Sequence, residues 1–150
     1  MNDRQEVINL LQDLAQLCRD GQEGYRNSAE QVKAPELRKF FNEQSLQRGS
    51  FAGEIEQEIQ RLGEADPKRS GTVAGSVHRA WINLKAALGG GDLAILNSVE
   101  SGEDAAKEDY EKAFAEDLPE SVQLILRKQY QSVLAAHDFV KRARDVRKAA

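Results

Sequence analysis

Cysteine is nearly absent from the chain: Cys18 stands alone, so no internal disulfide can hold the fold together. Proline occurs three times, at Pro35, Pro67 and Pro119, which leaves long stretches free to stay helical between them. No apolar run reaches the roughly 20 residues that a bilayer span requires, and the expectation is a protein that does not enter a membrane. The opening residues MNDRQEVINLLQDL show no cationic segment followed by an apolar block and a small-residue cleavage site. Signal-peptide export is therefore not expected, and the expected location is cytoplasmic. Charge of one sign is also scarce in excess, the net value being −4, so no global field argues for nucleic acid or an anionic surface. What is present is 40% apolar and 31% charged residues in 150, the balance and length of one folded domain over 1–150.

The apolar residues follow helical spacing throughout, and no strand pattern or internal repeat interrupts it. A first helix is expected over 3–32, with Val7, Leu11, Leu14, Cys18, Gly21, Tyr25, Ser28 and Val32 on one stripe and Leu10 and Leu17 widening it. Asn2 or Asp3 suits its N-cap. Lys33-Ala34-Pro35 ends that helix and starts the next, because proline disfavours helical geometry in its predecessor and fits a first turn. The second helix runs to Leu62-Gly63, with Leu37, Phe41, Phe51, Ile55, Ile59 and Leu62 inward. So short a connection makes the first two helices an antiparallel hairpin.

After the turn-rich GEADPKRSG, residues 72–88 read as a shorter amphipathic helix with Val77, Trp81, Leu84 and Leu88 on one face. Trp81 is the expected anchor of that segment, and His78 beside it takes a capping or surface role. The glycines at 89–91 precede Asp92, the expected N-cap of a third long helix to about residue 116, carrying Ile95, Val99, Gly102, Ala106 and Ala113. Leu118-Pro119 breaks it. The last helix, from 120 to about 147, turns Val122, Leu126, Gln129, Val133, Ala136 and Val140 inward. Its basic end (Lys141, Arg142, Arg144, Arg147 and Lys148) complements the helix dipole. Without interleaved aromatics those charges do not make a nucleic-acid footprint. The expected architecture is all-α: two antiparallel hairpins joined by a long crossover that contains a short helix.

Polar residues interrupt the stripes at one level. Gln44 and Arg48 sit where the second helix should present carbon, and antiparallel register places Gly21 and Tyr25 beside them. In the second hairpin, Glu103 and Ala106 fall opposite Gln129 and Ser132. If the hairpins pack face to face, Tyr25, Gln44, Arg48, Glu103 and Gln129 form a polar layer, with Asp109, Tyr110 and His137 nearby. Arginine does not give up its proton, so a buried Arg48 needs a carboxylate, and Glu103 is the candidate. Gln44 and Gln129 can both donate and accept, which suits completing the network. Gly21 leaves space for the guanidinium. No phosphate-cradling glycine loop, nucleophile–base pair or zinc spacing is present, and no catalytic residue is assigned.

The segments DGQEGYRNSAEQV, LRKFFNEQSLQRGSFAGEIE, HRAWINLK, SGEDAAKEDY, LPESVQLILRKQY and LAAHDF together resemble a bacterial ferritin-like family of four-helix bundles with no assigned function, distantly similar to ferritins and rubrerythrins. The resemblance implies a ferritin-like bundle. Ferritin-like di-iron proteins use a Glu from each of two helices and a Glu-x-x-His from each of the others. Carried onto this chain, that set is mostly missing. Glu23 and Glu30 face away from the first stripe, Gln44 and Gln47 stand where Glu and His belong, and Leu134 replaces the Glu partner of His137. Only Glu103, with Glu100 one turn earlier, and His137 remain, and the fixed charge of Arg48 shares their layer. The reading is a non-catalytic bundle with an ion-pair layer in place of a di-iron centre, without cofactor, its partner unassigned and a homo-oligomer compatible with it. The competing reading is a degenerate metal protein or oxidase holding iron or manganese on Glu103, Asp109 and His137.

Overall fold

The computed structural model describes residues 3–66, Trp81 and 90–149. The predicted helix over 72–88 therefore lies outside the described residues except at Trp81, which is helical and buried. His78, Val77, Leu84 and Leu88 lie outside them too, as do Asn2 and most of the linker. The described chain is all-helical and forms a four-helix bundle: α1 (Arg4–Gln31), α2 (Pro35–Arg61), α3 (Gly91–Phe114) and α4 (Glu120–Ala149). None of these helices is long and apolar enough to cross a membrane.

Local chemistry fixes the helix ends. Asp3 caps α1 by accepting the Glu6 amide at 2.8 Å, satisfying one of the donors that a helix start leaves open. Pro35 occupies the first turn of α2. That helix closes on Gly63, whose φ of +98° is left-handed backbone that only glycine adopts without strain. Arg4 donates its Nε to the Leu62 carbonyl, tying the start of α1 to the end of α2. Asp92 does not cap α3 as its position suggested; Gly90 holds the N-cap place without a side-chain bond. The Asp92 carboxylate instead accepts the backbone amides of Lys33 and Ala34, at 2.8 and 3.0 Å. Those amides sit in the α1–α2 turn, where no helix supplies an acceptor. Asp92 reaches them while remaining in the first turn of α3, favoured there by the helix dipole. One carboxylate thus joins the two hairpins.

The α1–α2 and α3–α4 hairpins pack with α1 on α3 and α2 on α4. The contacts run antiparallel in both cases: Cys18 meets Tyr110 while Lys33 meets Asp92, and Gln129 meets Phe51 while Arg147 meets Glu36. Each helix is thus antiparallel to both neighbours, and α2 and α3 lie across a diagonal, running in the same direction. Parallel helices cannot be joined by a tight turn, and long crossovers in bundles arise for this reason. All eight residues of the first stripe, from Val7 in α1 to its C-cap Val32, and all six of α4 are buried, and their large apolar side chains join a core shared by the four helices. On α2 the stripe departs from expectation at Leu62 and Gln44, which are only half-buried.

Candidate functional site

At mid-bundle, α2 delivers Arg48 into the core and α3 delivers Glu103 from across the diagonal. Both are essentially inaccessible, at 1% and 0% exposure. Arg48 Nη2 lies 2.7 Å from Glu103 Oε1 and donates a hydrogen bond to Oε2 at 2.8 Å. A single guanidinium nitrogen therefore straddles the carboxylate, in place of the two-nitrogen fork that Arg–carboxylate pairs often adopt. Gly21 leaves room for the side chain: a Cβ there would stand 3.4 Å from Arg48 Nη1 and 3.6 Å from its Cγ. The guanidinium carbon sits 5.4 Å from the centre of the Tyr25 ring, close enough for the ring face to attract it. Burial works against the Arg48 charge, but the charge and hydrogen bond of Glu103, with Tyr25 and Cys18 adding to them, together outweigh it and drive the guanidinium pKa further up.

A second strand of the network runs beside this pair. The Tyr110 hydroxyl donates to Gln129 Oε1 at 2.6 Å and lies 3.3 Å from Cys18 Sγ. Gln129 Nε2 in turn donates to the Phe51 carbonyl and to Glu54 Oε1, each at 3.3 Å. These contacts connect all four helices. Burial, and secondarily the charge of Glu103, hold the Tyr25 hydroxyl well above its ordinary pKa, and burial does the same for Tyr110. The Cys18 thiol is pushed up to about 11, chiefly by burial. A thiol so far from ionising is a poor nucleophile at neutral pH.

That shift has a measurable consequence. A group whose folded pKa lies above its unfolded value stabilises the protein fully below the unfolded pKa, and this stabilisation is lost as pH rises through the folded one. For Cys18 the window runs from about 9 to about 11, and the tyrosines extend it upward. Thermal melts are expected to hold level to about pH 9 and then fall. Cys18 contributes on the order of 2–3 kcal/mol to that loss, so Cys18→Ala should blunt its early part. A melting temperature unchanged through pH 11 would contradict this.

Not every residue expected in the layer joins it. Tyr25 enters with its ring face toward Arg48 and its hydroxyl beside the Glu103 carboxylate, while Gln44 Oε1 has no hydrogen-bond partner. His137 pairs through Nε2 with Asp104 Oδ1 at 2.5 Å, near the surface. Asp109 lines a groove of about 360 Å³ between α1 and α3, with Asp13, Leu14 and Lys112. Its carboxyl is raised by partial burial and by Glu108 and Asp13, against the pull of Lys112. The alternative metal set of Glu103, Asp109 and His137 is therefore not brought together. Glu100, one turn before Glu103 on α3, pairs with Arg144. Among the described residues no three His, Cys, Asp or Glu side chains group so as to hold a metal ion. A dinuclear centre does not fit this layer: its one buried carboxylate is committed to a cation that cannot be deprotonated.

One contact had no counterpart in the sequence reading. The Trp81 indole lies between Gly24 of α1 and Gly102 of α3, where a Cβ would stand 2.1 Å and 2.5 Å from its ring atoms. Its ring centre is 5.2 Å from that of Tyr25. The residue following each glycine, Tyr25 or Glu103, belongs to the polar layer, so the indole packs immediately outside it.

A family model described as a domain of unknown function (DUF2383) matches residues 6–116. The chain belongs to that family. The matched span takes in α1, α2 and α3, and with them Cys18, Tyr25, Arg48, Glu103 and Tyr110; Gln129 and His137 on α4 fall beyond it. No curated protein matches the chain.

Proposed function

We infer that this member of the family is a ferritin-like bundle that works without a redox centre, as a helical scaffold acting through its surface or by self-association. The observation that carries the reading is the Arg48–Glu103 pair, closed off at the middle of the core. In the di-iron bundles, carboxylates from several helices converge at the core to offset two dications. Here one carboxylate meets one guanidinium, and the buried groups around them, Cys18, Tyr25, Tyr110 and Gln129, are neutral, so local charge is already balanced. The antiparallel neighbours and parallel α2–α3 diagonal favour the ferritin-like arrangement over a simple up-down bundle. Buried ion pairs add little net stability but can specify which helices meet. The pair is thus a register pin rather than a reactive centre.

Elemental analysis and particle mass on one untagged preparation test this. Protein from cells supplied with iron and manganese should carry well below one metal ion per chain and run as a small species. Stoichiometric iron or manganese would overturn the metal-free reading, and a large shell-sized particle would replace the scaffold with a storage role.

A further inference from the structure

Charge is spread unequally along the bundle axis. Residues 141–149, which finish α4, hold five cations and one acid. Arg144 and Arg147 turn back onto Glu100, Asp145 and Glu36, while Lys141, Arg142 and Lys148 stay exposed. Val146 stands among them at 68% exposure, on the same helix face as Arg142 one turn earlier. The other end of the bundle has the opposite sign: residues 108–117, at and just beyond the end of α3, hold five acids and one base. Here lies the groove of about 360 Å³ between α1 and α3, lined by Leu10, Leu14 and Ala113 and by the acids Asp13, Asp109 and Glu116, with Lys112. Asp109 is raised there by partial burial and by neighbouring acids, so a cation brought against it relieves repulsion. A segment that fits this groove must be apolar and cationic at once, and the chain carries one at the end of α4.

We propose that the end of α4 from one copy docks in the α1–α3 groove of a second copy, with Val146 against the apolar lining and Arg142 against Asp109. The proposal names a partner for the scaffold reading above and rests on it. Exposed ion pairs are individually weak, and the valine beside the arginine is what matches this groove in particular. The two patches lie at opposite ends of the bundle, since Arg147 meets Glu36 at the start of α2 and the groove faces the first half of α1. The contact is therefore heterologous: each copy in a pair keeps one open groove or one open α4 end, and copies add head to tail. Its footprint is small beside the roughly 1,000 Å² that a stable interface clears. The association is accordingly weak and concentration-dependent, and a dilute preparation still runs as a small species.

Sedimentation velocity on the full chain over rising concentration tests this. At low salt the weight-average sedimentation coefficient should climb with concentration, and at about 1 M salt, where charges are screened within roughly 3 Å, the climb should flatten. Arg142→Glu with Val146→Asp, both at exposed positions, should abolish the climb while circular dichroism stays that of the parent. Asp109→Arg should abolish it from the other side. Mixing the two blocked variants tests the geometry: one keeps a sound groove and the other a sound α4 end, so together they should form a one-to-one complex and stop there. A chain that stays monomeric at every concentration would overturn the proposal and leave the metal-free reading untouched. Association that survives high salt or the α4 substitutions would overturn it as well, as would two folded blocked variants that do not combine. The α4 variant and the salt series decide the matter even where Asp109→Arg does not fold.

Discussion

Glu103→Ala should lower the free energy of unfolding by about 3–5 kcal/mol, the range for breaking a buried ion pair on one side, whereas Arg48→Met should cost considerably less. The asymmetry follows from proton chemistry. Without Glu103, Arg48 stays charged at 1% exposure, because a guanidinium cannot shed its proton to escape a low dielectric. Without Arg48, the Glu103 carboxyl can take up a proton and be buried neutral, and methionine fills much of the space the arginine stem occupied. Arg48→Met should accordingly keep the helical signal. Replacing both, as Arg48→Met with Glu103→Leu, should recover most of the stability lost in Glu103→Ala or exceed the parent, since apolar replacements of buried pairs are often neutral or stabilising. Urea melts followed by circular dichroism measure all three. Equal losses in the two single variants, or a double variant worse than Glu103→Ala, would show that the pair is not the element that matters at mid-bundle.

Why this pair could be read before the structure, and the rest of its surroundings could not, comes down to geometry. A helix repeats about every 3.6 residues, so an arginine in line with Phe41 and Phe51 is marked as buried by its position alone, and burial compels a carboxylate. Antiparallel register then sets levels along the axis well enough to bring Glu103 to the level of Arg48, while the bond from Tyr110 to Gln129 lies about one turn from the register expected, which set Ala106 opposite Gln129. It does not set rotation about the axis between hairpins. Asp109 lies six residues beyond Glu103, a rotation of about 240° from it, and that turns it toward α1 and away from the layer. His137 is displaced likewise, by one helix face, and meets Asp104 at the rim. Gln44 shows the same limit more mildly: it is half-buried while Ser45, its neighbour, is buried and donates to the Gln22 carbonyl at 2.7 Å. Asp92 misled for a different reason. Its sequence context is that of a cap, and only the approach of a second hairpin reveals two free amides at Lys33 and Ala34 that bind it better.

Gly24→Ala and Gly102→Ala should each displace the Trp81 indole, with a loss that approaches the roughly 3–5 kcal/mol of deleting a buried tryptophan. Read by propensity alone, both substitutions would stabilise a helix by about 1 kcal/mol, so the expected sign is set entirely by what stands against the backbone. A new methyl at residue 24 would lie 2.1 Å from Trp81 Cε3, and one at residue 102 would lie 2.5 Å from Cε2. These atoms belong to the fused ring system, which cannot bend aside as a lysine tip could. Either α1 and α3 must part or the indole must leave. Parting would also strain the nearby contact of Cys18 with Tyr110, so expulsion is the expected outcome. Because Trp81 is the only tryptophan in the chain, its emission reports the event directly: the parent should emit as a buried indole and the alanine variants as a solvated one. The deciding comparison places Gly24→Ala in a Trp81→Ala background. With the ring gone the substitution should turn neutral or mildly stabilising, by up to about 1 kcal/mol, so its sign should reverse. A loss of equal size in both backgrounds would mean that Gly24 serves something other than the indole, and an unshifted emission in Gly24→Ala would mean that the ring does not occupy the slot.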